Sequence, residues 1–388
     1  MPRMIVIGYR DDLDQALRRR GLDPFYVVQD PNGAPADRQS CRVADFENAQ
    51  EVLRAVLARR LDDVVGALSV HEMGVFTAAC LRQQFNLPGN ADPRTILSFR
   101  DKYLQKSGLP PEVRRARCLH VPTGTSYRRL ADDLGERFVI KPAAGAGAQR
   151  TSIIHSAQEY EDALALFPGA SDVAIVAESF VDGPEVFIDG IWERGELRWS
   201  CMSRYHEAPF DAARGGTMAA WVLDRTLHAG LFRQAETIAH QVLGSLRAPD
   251  CVFHLELFEE DTDLTFGECA VRIPGGLSPR ANKLTYGVDL FDAEISLALG
   301  ESPSLTERVE TPERFYGYVL LRRPDSGHLA QDDFERAFRL DEIHYDASPD
   351  ARVGPYGLVG HAMVSDPDES KLEKTVHEIV RFNVTGGA

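Results

Sequence analysis

The most useful absences in this 388-residue sequence concern membranes, cysteine motifs and positive charge. No apolar run approaches the ~20 residues needed to span a bilayer, which argues against a membrane protein. Six cysteines are scattered without any Cys-x-x-Cys pair, a pattern that argues against a zinc site or a disulfide framework and is typical of a reducing cytosol. The formal net charge is −16 and no long basic cluster stands out, so we expect no general affinity for nucleic acid.

The start of the sequence also lacks the features of a secretory leader. Met-Pro-Arg-Met leads directly into a short apolar run at residues 5–7, whereas a signal peptide needs a longer apolar stretch and a small-residue cleavage site. Together with the cysteine usage, this start predicts a cytoplasmic protein.

Composition and periodicity predict an α/β protein of more than one domain. The length corresponds to about two to three domains, and apolar residues at 44% are ample for buried cores. Within residues 1–95, short apolar strands alternate with helical segments, which indicates a parallel sheet with both faces covered. Further along, the pattern predicts a single helix over residues 95–108 and a long helix over residues 224–247.

Two acidic strands joined by a short polar turn form the most informative local pattern. Residues 252–258 and 264–272 both read as strands, along which side chains alternate between faces. If they pair as a hairpin, Glu256 and Glu268 converge with Arg272. Carboxylate oxygens are natural ligands of Mg²⁺. Taken alone, solvated hairpin carboxylates explain the pattern better, since charged strand residues usually face water.

Two segments upstream change that interpretation. An apolar strand at residues 138–141 delivers Lys141 into a Gly/Ala-rich loop, whose backbone N–H groups can approach phosphate oxygens. The lysine precedes the glycines, so this is not a Walker A loop. The second segment, residues 176–190, is an apolar strand that turns at Asp-Gly and resumes with Glu185. On its own, an ordinary turn between two strands explains it.

In this order, the three segments resemble the ATP-grasp superfamily of carboxylate–amine ligases. The resemblance spans roughly residues 60–300 and includes residues 69–74, 87–89 and 99–102, which are similar to the family's approach to its first ATP-binding lysine. It implies ATP and Mg²⁺ (or Mn²⁺) as cofactors, and a small-molecule carboxylate and amine as substrates. For the oligomeric state, a homodimer is the candidate.

The resemblance also implies roles for individual residues. The catalytic residues of the family are matched by Arg272, which would lie at the reacting acyl phosphate, and by Lys141. The two lysines that hold the ATP phosphates are matched by Lys102 and Lys141. Glu256 and Glu268 match the metal ligands. The remaining nucleotide contacts fall on the glycine-rich loop, the adenine hinge and the ribose-binding acid: Gly145, Gly147, Glu178, Ser179, Val181 and Glu185.

One position departs from the superfamily pattern. The second metal acid is commonly followed by Asn and Arg as Glu-x-Asn-x-Arg, whereas this sequence has Ala270 between Glu268 and Arg272. The methyl group of Ala270 cannot coordinate a metal. L-amino acid ligases that form dipeptides or carnosine look similar here, with a small apolar residue and a following Gly-Gly. The departure favours that branch and leaves the number of bound metals open.

The resemblance implies the fold class and the order of domains. We expect an N-terminal Rossmann-like parallel-sheet domain, a two-subdomain ATP-grasp core and a C-terminal α+β cap. The corresponding boundaries are residues 1–95, 96–185 for the small or lid subdomain, 186–300 for the large subdomain with the metal site, and 301–388.

The favoured function is an ATP-dependent ligase that phosphorylates a carboxylic acid, with an amino acid as the leading candidate, and joins it to an amine, releasing ADP and phosphate. This chemistry needs no side-chain nucleophile, so the lack of a Ser/His/Asp or Cys/His arrangement does not oppose it. One alternative is a ligase that loads an amino acid onto a carrier-protein thiol or an aminosugar. A scaffold that binds ATP without chemistry is disfavoured by the intact acids, and a carboxylase or purine-pathway ligase by Ala270.

The sequence does not identify the acid or the amine. Arg280 follows Gly-Gly-Leu-Ser-Pro near the reacting end and could pair with a substrate carboxylate. Gly275, Gly276, His254 and Glu72 are the other candidate substrate contacts. For Glu72 a structural role is favoured, because this region contacts the core in the family.

Overall fold

A computed structural model of the protein describes residues 1–30, 33–89, 92–167, 173–324, 329–346 and 358–387. Within these ranges the strands form three sheets: one parallel sheet of four strands, one antiparallel sheet of four and one antiparallel sheet of eight. In the same ranges, no helix combines the length and apolar character needed to cross a membrane. The predicted mixed α/β fold class is confirmed.

The element bounds are as follows. The strands are β1 (Arg3–Ile7), β2 (Asp23–Val28), β3 (Ser40–Arg42), β4 (Val64–Ser69), β5 (Cys118–His120), β6 (Phe138–Pro142), β7 (Ser152–Ile154), β8 (Ile175–Ser179), β9 (Glu185–Glu193), β10 (Glu196–Tyr205), β11 (Ala219–Val222), β12 (Cys251–Glu260), β13 (Asp263–Ala270), β14 (Phe315–Arg322), β15 (Glu342–Tyr345) and β16 (Leu358–Asp366). The α-helices are α1 (Asp11–Arg19), α2 (Ala49–Leu57), α3 (Val75–Gln84), α4 (Pro93–Arg100), α5 (Lys102–Ser107), α6 (Tyr127–Leu134), α7 (Ala157–Ala165), α8 (Pro209–Ala213), α9 (Ala229–Ser245), α10 (Ser278–Tyr286), α11 (Leu290–Ala298), α12 (Gln331–Ala337) and α13 (Glu369–Thr385), and a 3₁₀ turn covers Glu72–Gly74.

The N-terminal sheet is parallel and covered on both faces, as its alternation of strands and helices predicts. Its spatial order is β3-β2-β1-β4. Met4 and Val6 of β1 pack in one core with α1 and α11, whereas Ile5 and Ile7 pack in another with α2 and α3. Alternation of side chains along each strand therefore supplies two hydrophobic faces from one apolar run.

The small antiparallel sheet carries the glycine-rich loop. Its spatial order is β5-β8-β6-β7, and helices α6 and α7 pack on it through a separate core that includes Phe138 and Tyr160. The loop leaves from the end of β6, immediately beyond Lys141, so the sheet fixes where that loop begins.

The eight-stranded antiparallel sheet has the order β13-β12-β9-β10-β11-β14-β16-β15. The C-terminal strands join it through pairing of β11 with β14, where Ala219 lies opposite Val319. The region beyond residue 301 thus extends the core sheet rather than forming a sheet of its own. The domain boundaries given above remain a prediction.

The helix predicted over residues 95–108 is interrupted, and the prediction of one continuous helix is wrong at this point. Asp101 adopts an extended conformation (φ −95°, ψ 113°) and ends α4. Its side chain accepts hydrogen bonds from the backbone N–H groups of Tyr103 and Leu104, which caps α5. The break makes Lys102 the first residue of a new helix.

Candidate active site

A cleft of about 470 Å³ lies between the small sheet and the β12–β13 hairpin. One wall is formed by the loop after β6 and the end of β8, the other by the hairpin and the start of β9. Fourteen residues that the sequence analysis singled out line this cleft: Glu72, Lys102, Lys141, Gly145, Gly147, Glu178, Ser179, Val181, Glu185, His254, Glu256, Glu268, Ala270 and Arg272.

The hairpin brings two carboxylates together, as predicted. β12 and β13 pair antiparallel with Glu256 directly opposite Glu268 and His254 opposite Ala270, so all four side chains point to the same face. The register shifts just beyond Glu256, where Gly267 forms an irregularity. Like charges directly opposite each other repel, so this pair favours the binding of a cation between the two strands.

Lys102 contacts both walls of the cleft. Its Nζ lies 3.0 Å from Oε1 of Glu268 and donates to the carbonyl oxygen of Gly145 at 3.0 Å. The backbone N–H of Lys102 also donates to the carbonyl oxygen of Ala143 at 2.9 Å. One residue at the start of α5 therefore ties the glycine-rich loop to the hairpin acid.

Glu178 is enclosed by two lysines. Its Oε2 lies 2.7 Å from Nζ of Lys106 and 2.8 Å from Nζ of Lys141. Burial acts to raise the pKa of Glu178, but attraction by the two ammonium groups outweighs it and lowers that pKa to about 2. Its other oxygen, Oε1, is buried and has no hydrogen-bond partner among the described residues. A donor from a bound ligand would satisfy it.

Lys106 is a residue that the sequence interpretation missed; it does not line the cleft itself but pairs with Glu178, which does. It lies one helical turn after Lys102, and its side chain is almost fully buried. A lysine four residues after another lysine on a helix usually belongs to a solvated face, so no local pattern in the sequence marks Lys106 as buried.

The hinge after β8 has one backbone donor already in use. The N–H of Ser179 donates to the carbonyl oxygen of Arg117 at 2.9 Å, and the Oγ of Ser179 accepts from the N–H of Arg117 at 3.0 Å. Next along the chain, Phe180 lies under the guanidinium of Arg137, with 3.4 Å between the guanidinium carbon and the ring centroid. Both residues line the cleft together with Val181.

Glu185, the first residue of β9, lies in the same cleft. Burial raises the pKa of this carboxyl to about 8, and repulsion by Glu256 adds to the rise. At neutral pH the Glu185 carboxyl is therefore largely protonated, while the neighbouring Glu256, whose pKa is lowered against the effect of burial by its hydrogen bond to His254 and by the charges of Arg272 and Lys141, is ionised.

Arg272 lies beyond the end of β13 rather than on the strand, so the prediction that its position on the strand face aligns it with Glu268 is corrected. Its position depends on Glu72, whose Oε2 accepts from the Nε of Arg272 and whose Oε1 accepts from Nη1 of Arg100 at 2.8 Å. Burial acts to raise the pKa of Glu72, but the two guanidinium groups lower it to about 2. Glu72 thus holds Arg272 at the cleft, and its contact with substrate stays a prediction.

His254 is fixed by a buried carboxylate that sequence analysis did not identify. Asp189 on β9 is fully buried, and its Oδ1 lies 2.7 Å from Nδ1 of His254. Its Oδ2 accepts from Ser278 and, at 2.9 Å, from Nδ2 of Asn282. The other ring nitrogen of His254 faces Oε1 of Glu256 at 3.4 Å. Although burial opposes it, hydrogen bonding to these two carboxylates raises the pKa of His254 to about 9.

Three predicted substrate residues are not part of the cleft wall. Arg280 on α10 forms an ion pair with Glu342, with 2.7 Å between Nη1 and Oε1. Gly275 and Gly276 lie in the turn between Arg272 and α10 and are absent from the described residues that line the cleft. Their positions adjoin the cleft without opening onto it.

The donor set suits Mg²⁺. Among the described residues there is no cluster of three or more His, Cys, Asp or Glu side chains arranged to hold a metal. Mg²⁺ usually takes one or two protein carboxylates and completes its coordination with water and substrate phosphates. Glu256 and Glu268 are such a pair, so the residues present fit this ion, with Ala270 contributing no ligand.

Comparisons with known proteins show which proteins this chain resembles. No protein-family model matches the chain. It is similar to the L-arginine-specific L-amino acid ligase of Bacillus subtilis, with 26% identity over 263 residues that cover 66% of this chain and 62% of that protein, slightly less than two thirds of its length. It is also similar to an uncharacterised protein of Sinorhizobium fredii, with 25% identity over 389 residues that cover 94% of this chain and 78% of that protein.

Two solved structures extend the likeness to nearly the whole chain. L-amino acid ligase from Bacillus licheniformis superposes with a TM-score of 0.78 at 19% identity, over 99% of this chain and 98% of that one. Carboxyaminoimidazole ribonucleotide synthase from Aspergillus clavatus, complexed with ATP, gives 0.76 at 15% identity, over 98% and 99%. The chain has the ATP-grasp fold, and the resemblance seen in the sequence is confirmed.

Proposed function

We propose that the protein is an ATP-dependent ligase that activates a carboxylate as an acyl phosphate and joins it to an amine. The observation that carries the proposal is the facing pair of Glu256 and Glu268, with Lys102 bridging to the glycine-rich loop and Arg272 at the end of the hairpin. Opposed carboxylates flanked by fixed cations match the demands of phosphoryl transfer, which needs positioning and charge neutralisation rather than a nucleophilic side chain.

The nucleotide would occupy the wall formed by the small sheet. The unpartnered Oε1 of Glu178 can accept from the exocyclic amine of adenine, and the loop containing Gly145 and Gly147 can cover the phosphates. Lys141 lies between these two points. An ATP-bound neighbour of the same fold supports ATP as the nucleotide.

The reaction proceeds in two displacements. A carboxylate oxygen of the acid attacks the terminal phosphorus of ATP, the bond to the bridging oxygen breaks, and ADP leaves. The amine nitrogen then attacks the acyl carbon, the bond to the phosphate oxygen breaks, and the nitrogen loses a proton as phosphate departs. Lys102 and Lys141 would hold the phosphates, and Arg272 would hold the reacting carboxylate. Mg²⁺ held by Glu256 and Glu268 would neutralise phosphate charge.

An amino acid is the favoured acid, because a relative of this chain is named as an L-amino acid ligase. Transfer to a carrier-protein thiol or an aminosugar and a scaffold without chemistry are the competing functions. The three functions predict different results when ADP release is measured with different acceptors.

The test is ADP release measured with the twenty amino acids taken singly and in pairs, at millimolar Mg²⁺. We expect release with particular pairs and only background release with either member alone. Release that requires a carrier protein or an aminosugar would support the first alternative. Tight ATP binding without ADP release for every combination of acid and acceptor tested would support a scaffold that binds ATP without chemistry.

A further inference from the structure

Three polar side chains, Asp189, His254 and Tyr205, form a row that leads from the protein interior to the first hairpin acid. Asp189 on β9 lies directly opposite His254 on β12, so their side chains share one face of the large sheet. Oδ1 of the fully buried Asp189 lies 2.7 Å from Nδ1 of His254. Because a carboxylate only accepts hydrogen bonds, Nδ1 is the donor, and this bond fixes the ring with Nε2 facing Glu256.

Helix α10 anchors the buried end of this polar row. Oδ2 of Asp189 accepts from the hydroxyl of Ser278 and, at 2.9 Å, from Nδ2 of Asn282. Ser278 and Asn282 are both buried, one turn apart at the start of α10. Three donors therefore hold one carboxylate, and the packing of α10 on the sheet sets its position. His254 is thus held from behind by a fixed group.

The other end of the polar row meets a single oxygen of Glu256. Oε1 of Glu256 lies 3.4 Å from Nε2 of His254 and accepts from the hydroxyl of Tyr205 at 3.5 Å. That hydroxyl also lies 3.4 Å from Nε2 of His254, so the three groups contact one another. Among the described residues, every hydrogen bond and ion pair of the Glu256 side chain goes to Oε1. Its Oε2 is engaged by none of them.

Glu268, the acid on the opposite strand, is also held by one oxygen. Its Oε1 lies 3.0 Å from Nζ of Lys102, and its Oε2 makes no hydrogen bond or ion pair within the described part of the chain. Glu256 and Glu268 face each other across the hairpin. Because Ala270 contributes no ligand, the direction of each carboxylate decides how well this pair can hold a cation.

We propose that Asp189, His254 and Tyr205 are positioning residues that hold Glu256 by Oε1, so that Oε2 is presented to a divalent cation between Glu256 and Glu268. The inference rests on the proposed ligase function, in which Mg²⁺ would occupy this position. The polar row acts through Glu256 and needs no contact with the reacting atoms. Side chains that orient a metal ligand in this way typically contribute about ten- to a hundredfold to metal affinity.

The experiment measures Mn²⁺ binding, which does not depend on turnover. Mn²⁺ is titrated into the protein with ADP, the free ion is followed by electron paramagnetic resonance, and ADP without protein is the blank. The variants are His254→Gln, Asp189→Asn and Tyr205→Phe, each of which alters one member of the polar row. Calorimetry of ADP binding in EDTA reports on the nucleotide site without metal.

His228→Gln is the matched control, because it disrupts a second pair of a histidine and a buried glutamate. Nε2 of His228 lies 2.9 Å from Oε1 of Glu369, whose Oε2 accepts from the backbone N–H of Asp224 at 2.6 Å. None of these three residues is among those that line the cleft. Thermal unfolding of both histidine variants measures the cost to the fold.

His254→Gln and Asp189→Asn should weaken Mn²⁺ binding about tenfold or more, and Tyr205→Phe about threefold. ADP affinity in EDTA should change by less than about twofold. His228→Gln should lose stability and keep the Mn²⁺ affinity of the wild type. Unchanged Mn²⁺ affinity in folded His254→Gln overturns the proposal, as does an equal loss in His228→Gln or a wild type that binds no Mn²⁺.

Tyr205→Phe decides the matter if the two buried variants do not fold. It removes only the hydroxyl and keeps the ring that packs on Phe187, with 4.5 Å between the ring centroids. A Mn²⁺ affinity equal to that of the wild type in this variant would then reject the polar row as a positioning device.

Failure of the proposed function is separable from failure of this inference. If no acid and amine give ADP release, the Mn²⁺ titration still tests the polar row. If a productive pair is found, His254→Gln should raise the Mg²⁺ concentration needed for half-maximal rate about tenfold or more and regain most of the wild-type kcat at saturating Mg²⁺. A kcat that stays low at saturating Mg²⁺ would show that His254 acts on the reacting groups themselves, which contradicts a positioning role.

Discussion

At the scale of single residues, the site is built on charges that need a ligand. Glu256 and Glu268 oppose each other, and Glu185 carries a pKa raised to about 8 by burial and by its acidic neighbour. On the opposite wall, Glu178 is neutralised by Lys106 and Lys141. The cleft therefore has one side rich in carboxyl groups and another side rich in lysine, which suits a cation and phosphates placed between them.

Replacing Glu268 by Gln should abolish turnover and leave the fold intact. The amide keeps the shape of the side chain but removes the charge that would hold Mg²⁺, so ADP release should fall by ~100-fold or more. The melting temperature should stay within a few degrees of the wild type. Ala270→Asn on the same strand is the matched variant and should lose much less activity, because water can fill a coordination position of Mg²⁺. Substantial activity in Glu268→Gln at ordinary Mg²⁺ would contradict the metal assignment.

Glu185 makes a pH-dependent prediction about stability. Its carboxyl has an ordinary pKa of 4.5 when unfolded and about 8 when folded, so the folded state binds an extra proton between these values and loses stability as the pH rises through that window. Above about pH 8 the loss is complete and constant. Glu185→Gln removes this cost.

The measurement is thermal unfolding of wild type and Glu185→Gln without nucleotide or metal. The variant should be the more stable protein, with an advantage that grows from pH 5 to pH 8 to about 2 °C or more. Glu196→Gln, an exposed acid on the adjacent strand β10, should show no such trend. An advantage of Glu185→Gln that is the same at pH 5 and pH 8 would show that the carboxyl ionises normally in the folded state.

At the scale of secondary-structure elements, the break at Asp101 positions Lys102, the first of the two lysines proposed to hold the ATP phosphates. The cap starts α5 at Lys102 and lets its Nζ reach both Glu268 and the carbonyl of Gly145. A continuous helix through this position would direct the lysine elsewhere. A local backbone feature thus sets the geometry of the cleft.

Asp101→Ala should cost about 1 kcal/mol of stability and also weaken ATP binding. Denaturant unfolding and calorimetry measure the two effects. Asp368→Ala is the matched control, since Asp368 caps α13 by accepting from the N–H of Ser370. It should lose similar stability with no change in ATP affinity. Equal ATP affinity in both variants would mean that the helix break does not position Lys102.

Local patterns in the sequence were sufficient for the hairpin and for the loop after β6, because each depends on neighbouring residues. The pairing of Arg272 with Glu72 joins residues 200 positions apart, and that of Lys106 with Glu178 joins residues 72 apart. Such contacts depend on how sheets pack against each other, which strand and helix periodicity does not encode. The same reason explains why Asp189 escaped notice, since it belongs to no local motif.

At the scale of the whole molecule, three sheets meet around one cleft. The small sheet supplies the wall proposed to hold the nucleotide, the hairpin at the edge of the large sheet supplies the acids, and Glu72, which follows strand β4 of the N-terminal sheet, also lines the cleft. The large sheet also runs on into the C-terminal region through the pairing of β11 with β14.

The central claim is that a carboxylate is activated by phosphorylation, and isotope transfer tests it most directly. The acid is supplied with ¹⁸O in its carboxylate, and the nucleotide and phosphate products of a productive pair are analysed by mass spectrometry. Formation of an acyl phosphate predicts ADP together with inorganic phosphate that carries one ¹⁸O atom from the acid. Formation of AMP and pyrophosphate, or of phosphate without the label, would contradict the account.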